Sequence, residues 1–312
     1  MLRIIIRRVT LAIPILLGVT VIIFLLMNVL PGDPTASFIT EDTPPEVRAQ
    51  IRRELGLDRA LPVRYLSWLG DTLSGDLGYS PYRKREVTDL ISQAWWNTAI
   101  LAGASAVFGL VGGVALGFVA GIRRNKLADR FISVFSLTGL SVPSFFLAIV
   151  MLIIFSARLN WLPTSGTGLD DGTFLKHLVM PMIAGGLATL AITTRVTRAS
   201  IIETYSADFV QTLRAKGLTN TEVFRHVFKS AISPVLTTSG LQVGYLLGGS
   251  VLIETIFAWP GMGMLVFNAI SSRDLLVVQG ATLVIALTFV MVNLVVDLVQ
   301  ASIDPRLRRA IA

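Results

Sequence analysis

The stretch SADFVQTLRAKGLTNTEVFRHVFKSAISP, Ser206 to Pro234, decides how the rest of the chain is read. It is polar and basic, and on either side lies an apolar segment long enough to cross a membrane. Local physics divides it into two helices. Ser206 is suited to cap the first, and Gly217 stands where a helix commonly ends in the left-handed conformation. Thr219-Asn220-Thr221-Glu222 is a capping box that opens the second: the Thr hydroxyl accepts from the third helical amide, and the Glu carboxylate reaches back to the cap amide. Arg214, Lys216, Arg225 and Lys229 surround the turn, so a DNA-binding helix-turn-helix is one reading of the motif taken alone. The flanks argue against it.

Composition points the same way. The chain is 53% hydrophobic and only 15% charged, with a mean hydropathy of +0.69, against roughly 25% charged in a soluble domain. This is the composition of a membrane protein. No cysteine occurs, which excludes disulfides and thiolate metal sites. The net charge of +7 resembles a nucleic-acid signature until the basic residues are placed, most of them in short loops between apolar segments.

Six segments reach the ~20 residues needed to span the hydrocarbon core as a helix: about 9–30, 98–122, 131–155, 175–194, 235–257 and 277–303. The first follows Arg3, Arg7 and Arg8 and is too long for the apolar region of a signal peptide; PGDP behind it is no small-residue cleavage site. It reads as a retained span. Short loops rich in Lys and Arg stay on the cytoplasmic side. Arg3, Arg7, Arg8, Arg123, Arg124, Lys126, Arg130, Arg195, Arg198, Arg214, Lys216, Arg225, Lys229, Arg306, Arg308 and Arg309 fall on one side, sixteen of the 27. Eight of the other eleven lie in one loop too long for the rule to count. Both termini and the 206–234 stretch are therefore expected in the cytoplasm.

The resulting organisation is a tail and first span over 1–30, an extracytoplasmic helical loop over 31–97, and a five-helix core over 98–303. The core contains a cytoplasmic loop at 195–234, and 304–312 form the second tail. Within the long loop, Thr43-Pro44-Pro45-Glu46 opens one helix, with Val47, Ile51 and Leu55 on one face before Gly56. A second follows Pro62, with Val63, Leu66, Leu69 and Leu73 as its apolar face, ending at Gly75-Asp76-Leu77-Gly78. The loop reads equally as a passive cap or as a dock for a soluble partner. Trp95 and Trp96 sit where the second span should enter the membrane.

Gly109, Gly113, Gly117 and Gly121 recur every four residues, as do Gly240, Gly244 and Gly248. Small residues at this spacing form a groove that lets helix backbones approach closely in lipid. A seam inside the chain and a seam to a second subunit are both open.

The chain shows none of the motif patterns that bind nucleotide phosphates or carry zinc hydrolysis, and its only histidines, His177 and His226, fall on opposite sides of the membrane. Both read as local hydrogen-bonding residues. Ionisable and polar groups inside spans are functional suspects, because burying them in lipid is costly. Asn293 and Asp297 share a face of the sixth span, though Asp297 is close enough to its end to pair with a cytoplasmic Arg. Gln242, Tyr245 and Glu254 are further candidates for lining a polar route.

These pieces together resemble a family. Over nearly its full length the chain is similar to the inner-membrane permease subunits of bacterial ATP-binding-cassette (ABC) importers of the dipeptide/oligopeptide/nickel branch. Within that branch it looks most like the first of the two paired permeases, the dipeptide-permease B type. The carrying residues are IPILLGVTVIIFLL behind the N-terminal arginines, PGDP at Pro31–Pro34, LGLDRALPVRYLSWL at Leu55–Leu69 and GDLGYS at Gly75–Ser80. They continue with SVPSFFLA at Ser141–Ala148, WLPTSG at Trp161–Gly166, RAKGL at Arg214–Leu218, ETIFAWPGMG at Glu254–Gly263 and DPRLR at Asp304–Arg308.

The resemblance implies an all-α protein of six transmembrane helices with the type I importer architecture and a helical insertion after the first span. It implies that the loop around Gly217 docks in a groove of a separate ATPase, with Asp208, Phe209, Thr212, Arg214, Ala215, Lys216, Gly217, Leu218, Thr219 and Glu222 making up the coupling loop. The broad family pattern begins Glu-Ala-Ala there; this chain reads Gln211-Thr212-Leu213. The implied partners are a second permease, two ABC ATPases that bind ATP and Mg, and an extracytoplasmic substrate-binding protein, in the bacterial inner membrane. The chain itself is expected to bind no cofactor, hold no metal and catalyse nothing. The rivals are the same machine moving nickel or another small solute, a membrane-anchored DNA-binding regulator, and a proton-coupled secondary transporter.

Overall fold

A computed structural model describes residues 2–29, 44–47, 58–169 and 172–303. The helices, in chain order, are α1 (Leu2–Val29), α2 (Leu61–Leu73), α3 (Val87–Ile122), α4 (Leu127–Ser141), α5 (Ser144–Met151), α6 (Phe174–Tyr205), α7 (Asp208–Ala215), α8 (Asn220–Ile256), α9 (Met262–Ser271) and α10 (Leu275–Ile303). A two-residue antiparallel hairpin, β1 (Tyr79–Ser80) and β2 (Arg85–Glu86), precedes α3. Among the described residues, four helices are long and apolar enough to cross a membrane: 5–26 within α1, then α3, α6 and α10. The expected fifth span, 235–257, is helical up to Ile256 as the continuation of α8.

The expected third span is not one straight helix. α4 and the segment from Ser144 to Arg158 are bent by 102° from one another, with Val142 extended (φ −84, ψ 121) and Pro143 at the cap of α5. The cause is local. A residue before proline is driven out of the α region, and proline lacks the amide that would continue the ladder. Leu152–Arg158 then continues α5 as a π-helix.

The chain divides into two units, 1–5 with 99–259 and 291–312, and 6–98 with 260–290. The second unit is built around Val87, Leu90, Ile91 and Ala94 of α3, which pack on Met262, Leu265 and Ala269 of α9 and on Val277, Val278 and Ala281 of α10. Asp274 receives the Ser80 hydroxyl in this core, and Thr98 Oγ1 accepts the Met262 amide at 2.7 Å. Trp95 donates to Thr288 Oγ1 at 2.9 Å, while Trp96 is 62% exposed.

Of the first helix expected in the long loop only 44–47 are described, and 45–47 are helical. The second is α2, with proline in its first turn and Gly75 left-handed just beyond its end (φ +90). Its packing differs from the expectation. Val63, Leu66 and Leu73 are exposed, and the contact to α1 is made by Tyr65 and Trp68, whose rings stand 5.5 and 6.0 Å from that of Phe24. Aromatic rings carry more buried area and a polar handle, and Tyr65 uses its handle on Thr20 Oγ1 at 2.9 Å.

In the first unit the glycine groove of α3 has its partner within the chain. A Cβ placed on Gly109 would lie 2.8 Å from Thr189, on Gly113 2.6 Å from Thr193, on Gly117 2.6 Å from Thr197 and on Gly121 2.6 Å from Ile201. Each α6 partner lies 80 positions after its glycine, so α3 and α6 run parallel and in fixed register. Gly240 of α8 is closed in the same way by Val296 and Gln300 of α10.

Candidate functional site

The opening stretch forms a compact knob. α7 ends in a Schellman turn: Gly217 is left-handed (φ +80), its amide donates to Arg214 O at 2.9 Å, and the Leu218 amide reaches Leu213 O at 3.3 Å, the bond pair that defines that motif. The capping box follows. Thr219 Oγ1 accepts the Glu222 amide at 3.4 Å, and Glu222 Oε2 accepts the Thr219 amide at 2.8 Å. The donated Thr219 amide, then the Thr219 hydroxyl, hold the Glu222 carboxyl below its ordinary pKa. One expectation is corrected. Ser206 does not cap α7, because its hydroxyl donates back to Ile202 O at 3.0 Å and it ends α6 instead; Ala207 is the cap. Pro234 lies inside α8, which runs through it without a break and carries the knob directly into the next long segment.

The knob is fastened to the ends of the long helices. Val210 of α7 and Val223, Val227 and Ala231 of α8 are buried against Ile201 of α6, with Phe118 and Tyr205 beside them. Phe118 of α3 meets Phe224 edge-on at 4.9 Å, and Ser200 Oγ donates to Ala231 O at 2.8 Å. The outer surface stays open. Asp208, Phe209, Thr212, Arg214, Ala215, Lys216, Gly217, Thr219 and Glu222 are exposed, and Leu218 is half-buried. Such a shape can transmit a push to three helices at once while offering a charged, aromatic face to a partner.

A second fastening escaped the sequence reading. Arg198 of α6 donates to both oxygens of Asp129 at the start of α4, Nε to Oδ1 at 2.5 Å and Nη2 to Oδ2 at 3.0 Å. Asp129 is only 2% exposed and also accepts the amide of left-handed Asn125 at 2.8 Å and the Ser133 hydroxyl at 3.3 Å. The available signal was a lone Asp in the first helical turn after Arg123-Arg124-Asn125-Lys126.

The pathway candidates separate. Gln242 lines a cavity of about 180 Å³ with Ser105, Ser144, Thr189 and Ser250 among its polar walls. Glu254 is wholly buried near the end of α8, and Asn293 and Asp297 are half-buried on α10; none of the three lines that cavity. The side chain of Tyr245 lies outside the described residues, as do the residues of the 304–308 motif. His177 Nδ1 stands 3.2 Å from Thr173 Oγ1, as a local hydrogen-bonding residue.

The long apolar helices are of membrane-spanning length, and they carry a packed, exposed knob. The chain belongs to the family described as binding-protein-dependent transport system inner membrane components, which matches residues 113–309; the N-terminal membrane-component family of the same systems matches 1–102. These are the permease subunits of ABC importers. The chain is 39% identical to the "Putative peptide permease protein" of Brucella ovis, over 99% of each chain. It is 37% identical to the glutathione transport system permease protein GsiC of Escherichia coli K12, again over 99% of each. Among solved structures, a chain of the inward-facing MetNI methionine ABC transporter superposes with a TM-score of 0.55 at 15% identity, covering 69% of this chain and 96% of that one. That likeness is one of fold.

Proposed function

We propose that this permease forms half of the translocation pathway of an ATP-driven importer of di- or oligopeptides, beside a second permease, and is driven by two ATPases docking on the 206–234 knob. The observation that carries the coupling role is the knob itself: one small body locked internally by a Schellman turn and a capping box, and packed on α3, α6 and α8 through Phe118, Ile201 and Val227. Peptide cargo is supported by full-length relatives named for peptide and glutathione transport, glutathione being a small peptide. An extracytoplasmic binding protein delivers it.

Six spans with both termini cytoplasmic suit this reading. The parallel run of α3 and α6 supports a return crossing between them, for which bent α4–α5 is the candidate. Gln242 is the candidate lining residue with the best support, from its place in the cavity wall.

The test is reconstitution of the chain with its genomic partner permease, ATPases and binding protein in proteoliposomes. ATP-dependent uptake of labelled di- or tripeptides, absent with catalytically dead ATPases, is expected. Uptake of nickel without peptide uptake, or uptake that persists without ATP hydrolysis, rejects the reading.

A further inference from the structure

α2 presents an apolar face that the rest of the described chain leaves open: Leu66 is 65% exposed and Leu73 80%. Seven residues apart, they lie about 20° from one another around the helix. Ser67 and Asp71 are also exposed but lie roughly 100–160° away at 100° per residue. A third face, Tyr65 and Trp68, packs on Phe24 of α1, with Arg64 over the same ring at 5.9 Å.

The depth of that packing identifies what covers the leucines. The apolar stretch of α1 runs from Ile5 to Leu26, and Thr20, hydrogen-bonded to Tyr65, lies six residues before its end, about 9 Å inside the hydrocarbon at 1.5 Å per residue. On the same turns of α1, Ile22, Leu25 and Leu26 are themselves exposed, as lipid-facing residues of a span are. The leucines of α2 therefore continue an apolar surface that already meets acyl chains. A helix with one polar side and one leucine side held at that depth has the properties of an interfacial helix, which buries its apolar face about 5–10 Å into the headgroup–acyl boundary.

We infer that α2 is a membrane-surface helix whose Leu66–Leu73 face is bedded among the acyl chains of the leaflet at the C-terminal end of α1, the extracytoplasmic one in the orientation proposed above. It is an anchor for the loop that contains it. Neither of the roles open from sequence, a passive cap or a dock for a soluble protein, leaves this face in lipid.

The chain has no cysteine, so single-cysteine variants can be labelled cleanly. Leu66→Cys, Leu73→Cys and Asp71→Cys, each carrying an environment-sensitive fluorophore, are reconstituted as the full transporter complex in vesicles of ordinary phospholipid or of phospholipid brominated high on its acyl chains. Labels at 66 and 73 are expected to be quenched by the brominated lipid and shielded from aqueous iodide, and the label at 71 to show the reverse. Iodide quenching at 66 and 73 equal to that at 71 overturns the inference; so does shielding from both quenchers, which marks a protein partner. For any variant that fails to assemble, hydroxyl-radical labelling of the unmodified complex in nanodiscs decides, with oxidation of Leu66 or Leu73 overturning the inference. Peptide uptake is no readout here, so this outcome is independent of the transport assignment.

Discussion

Arg198 holds Asp129 by both carboxylate oxygens, and so joins the turn between α3 and α4 to the last two turns of α6, three residues from Ile201 in the core of the knob. Asp129 is buried while Arg198 is about one-third exposed. A buried carboxylate stays charged at tolerable cost only when its acceptor sites are filled, and here the Asn125 amide and Ser133 hydroxyl supply the remaining bonds.

Removing either partner of this pair should be costly, and removing both should cost little more. Arg198→Gln and Asp129→Asn are each expected to destabilise by about 1.5–3 kcal/mol, the range for hydrogen bonds to charged groups. In the double variant the losses should fail to add, because one interaction is removed twice. Thermal unfolding of the four proteins in detergent measures the cycle; strict additivity would mean the pair contributes nothing as a pair.

Glycines of α3 should divide by what they face. Gly113→Ala puts a methyl against Thr193 and the Leu190 carbonyl, and overpacking of this kind costs about 1–3 kcal/mol. Gly103→Ala meets nothing within 4 Å and should be neutral or stabilising by up to about 1 kcal/mol, since alanine is the better helix former. The comparison of melting temperatures is the check.

Gly217 has open space around its Cβ position, so substitution there strains only the backbone. Gly217→Val should cost about 1–2 kcal/mol, the penalty of the left-handed region for a residue with a Cβ, while Gly217→Asn should be tolerated. In the reconstituted transporter the valine variant is expected to keep ATP hydrolysis and lose peptide uptake. Equal uptake by both variants would separate the turn from coupling.

The capping box carries a pH dependence of known sign. Glu222 has a depressed pKa in the folded chain, so its contribution is present above the ordinary glutamate pKa of about 4.3. It is lost as the pH falls through the lower folded value. Amide exchange at Thr219 and at the start of α8 should quicken on acidification in the native chain and stay flat in Glu222→Gln. Thr219→Ala should loosen the same turn by about 1 kcal/mol at neutral pH.

Gln242→Leu should lower peptide uptake more than it lowers hydrolysis, because it replaces a polar wall of the cavity without touching the knob. Transport and ATPase rates measured on the same vesicles give the ratio.

The sequence reveals what is local or periodic. The positions of the four long apolar helices follow from hydropathy, the capping box from four adjacent residues, and the left-handed Gly217 from its place after a helical run. Long-range partners are another matter. Asp129 and Arg198 are 69 positions apart, and each sits among basic residues that read as topology signals. The exposed leucines of α2 carry the same apolar pattern as a buried face, and only the competing aromatic contact to Phe24 shows which side packs. The bend at Val142-Pro143 was legible from proline chemistry, but it is masked by an apolar run long enough to pass for one span. The glycine groove was visible, and its partner was not, because a groove records the closeness of a neighbour and not its identity.

That groove also limits how the protein can move. Four α3 glycines face three threonines and an isoleucine of α6 at four-residue intervals, so sliding one helix along the other meets the next fit only after about 6 Å, four residues at 1.5 Å each. Small axial slips are blocked like the teeth of a comb. α3 and α6 are left to tilt as a single beam, so that any change of shape in this unit falls to segments outside the comb.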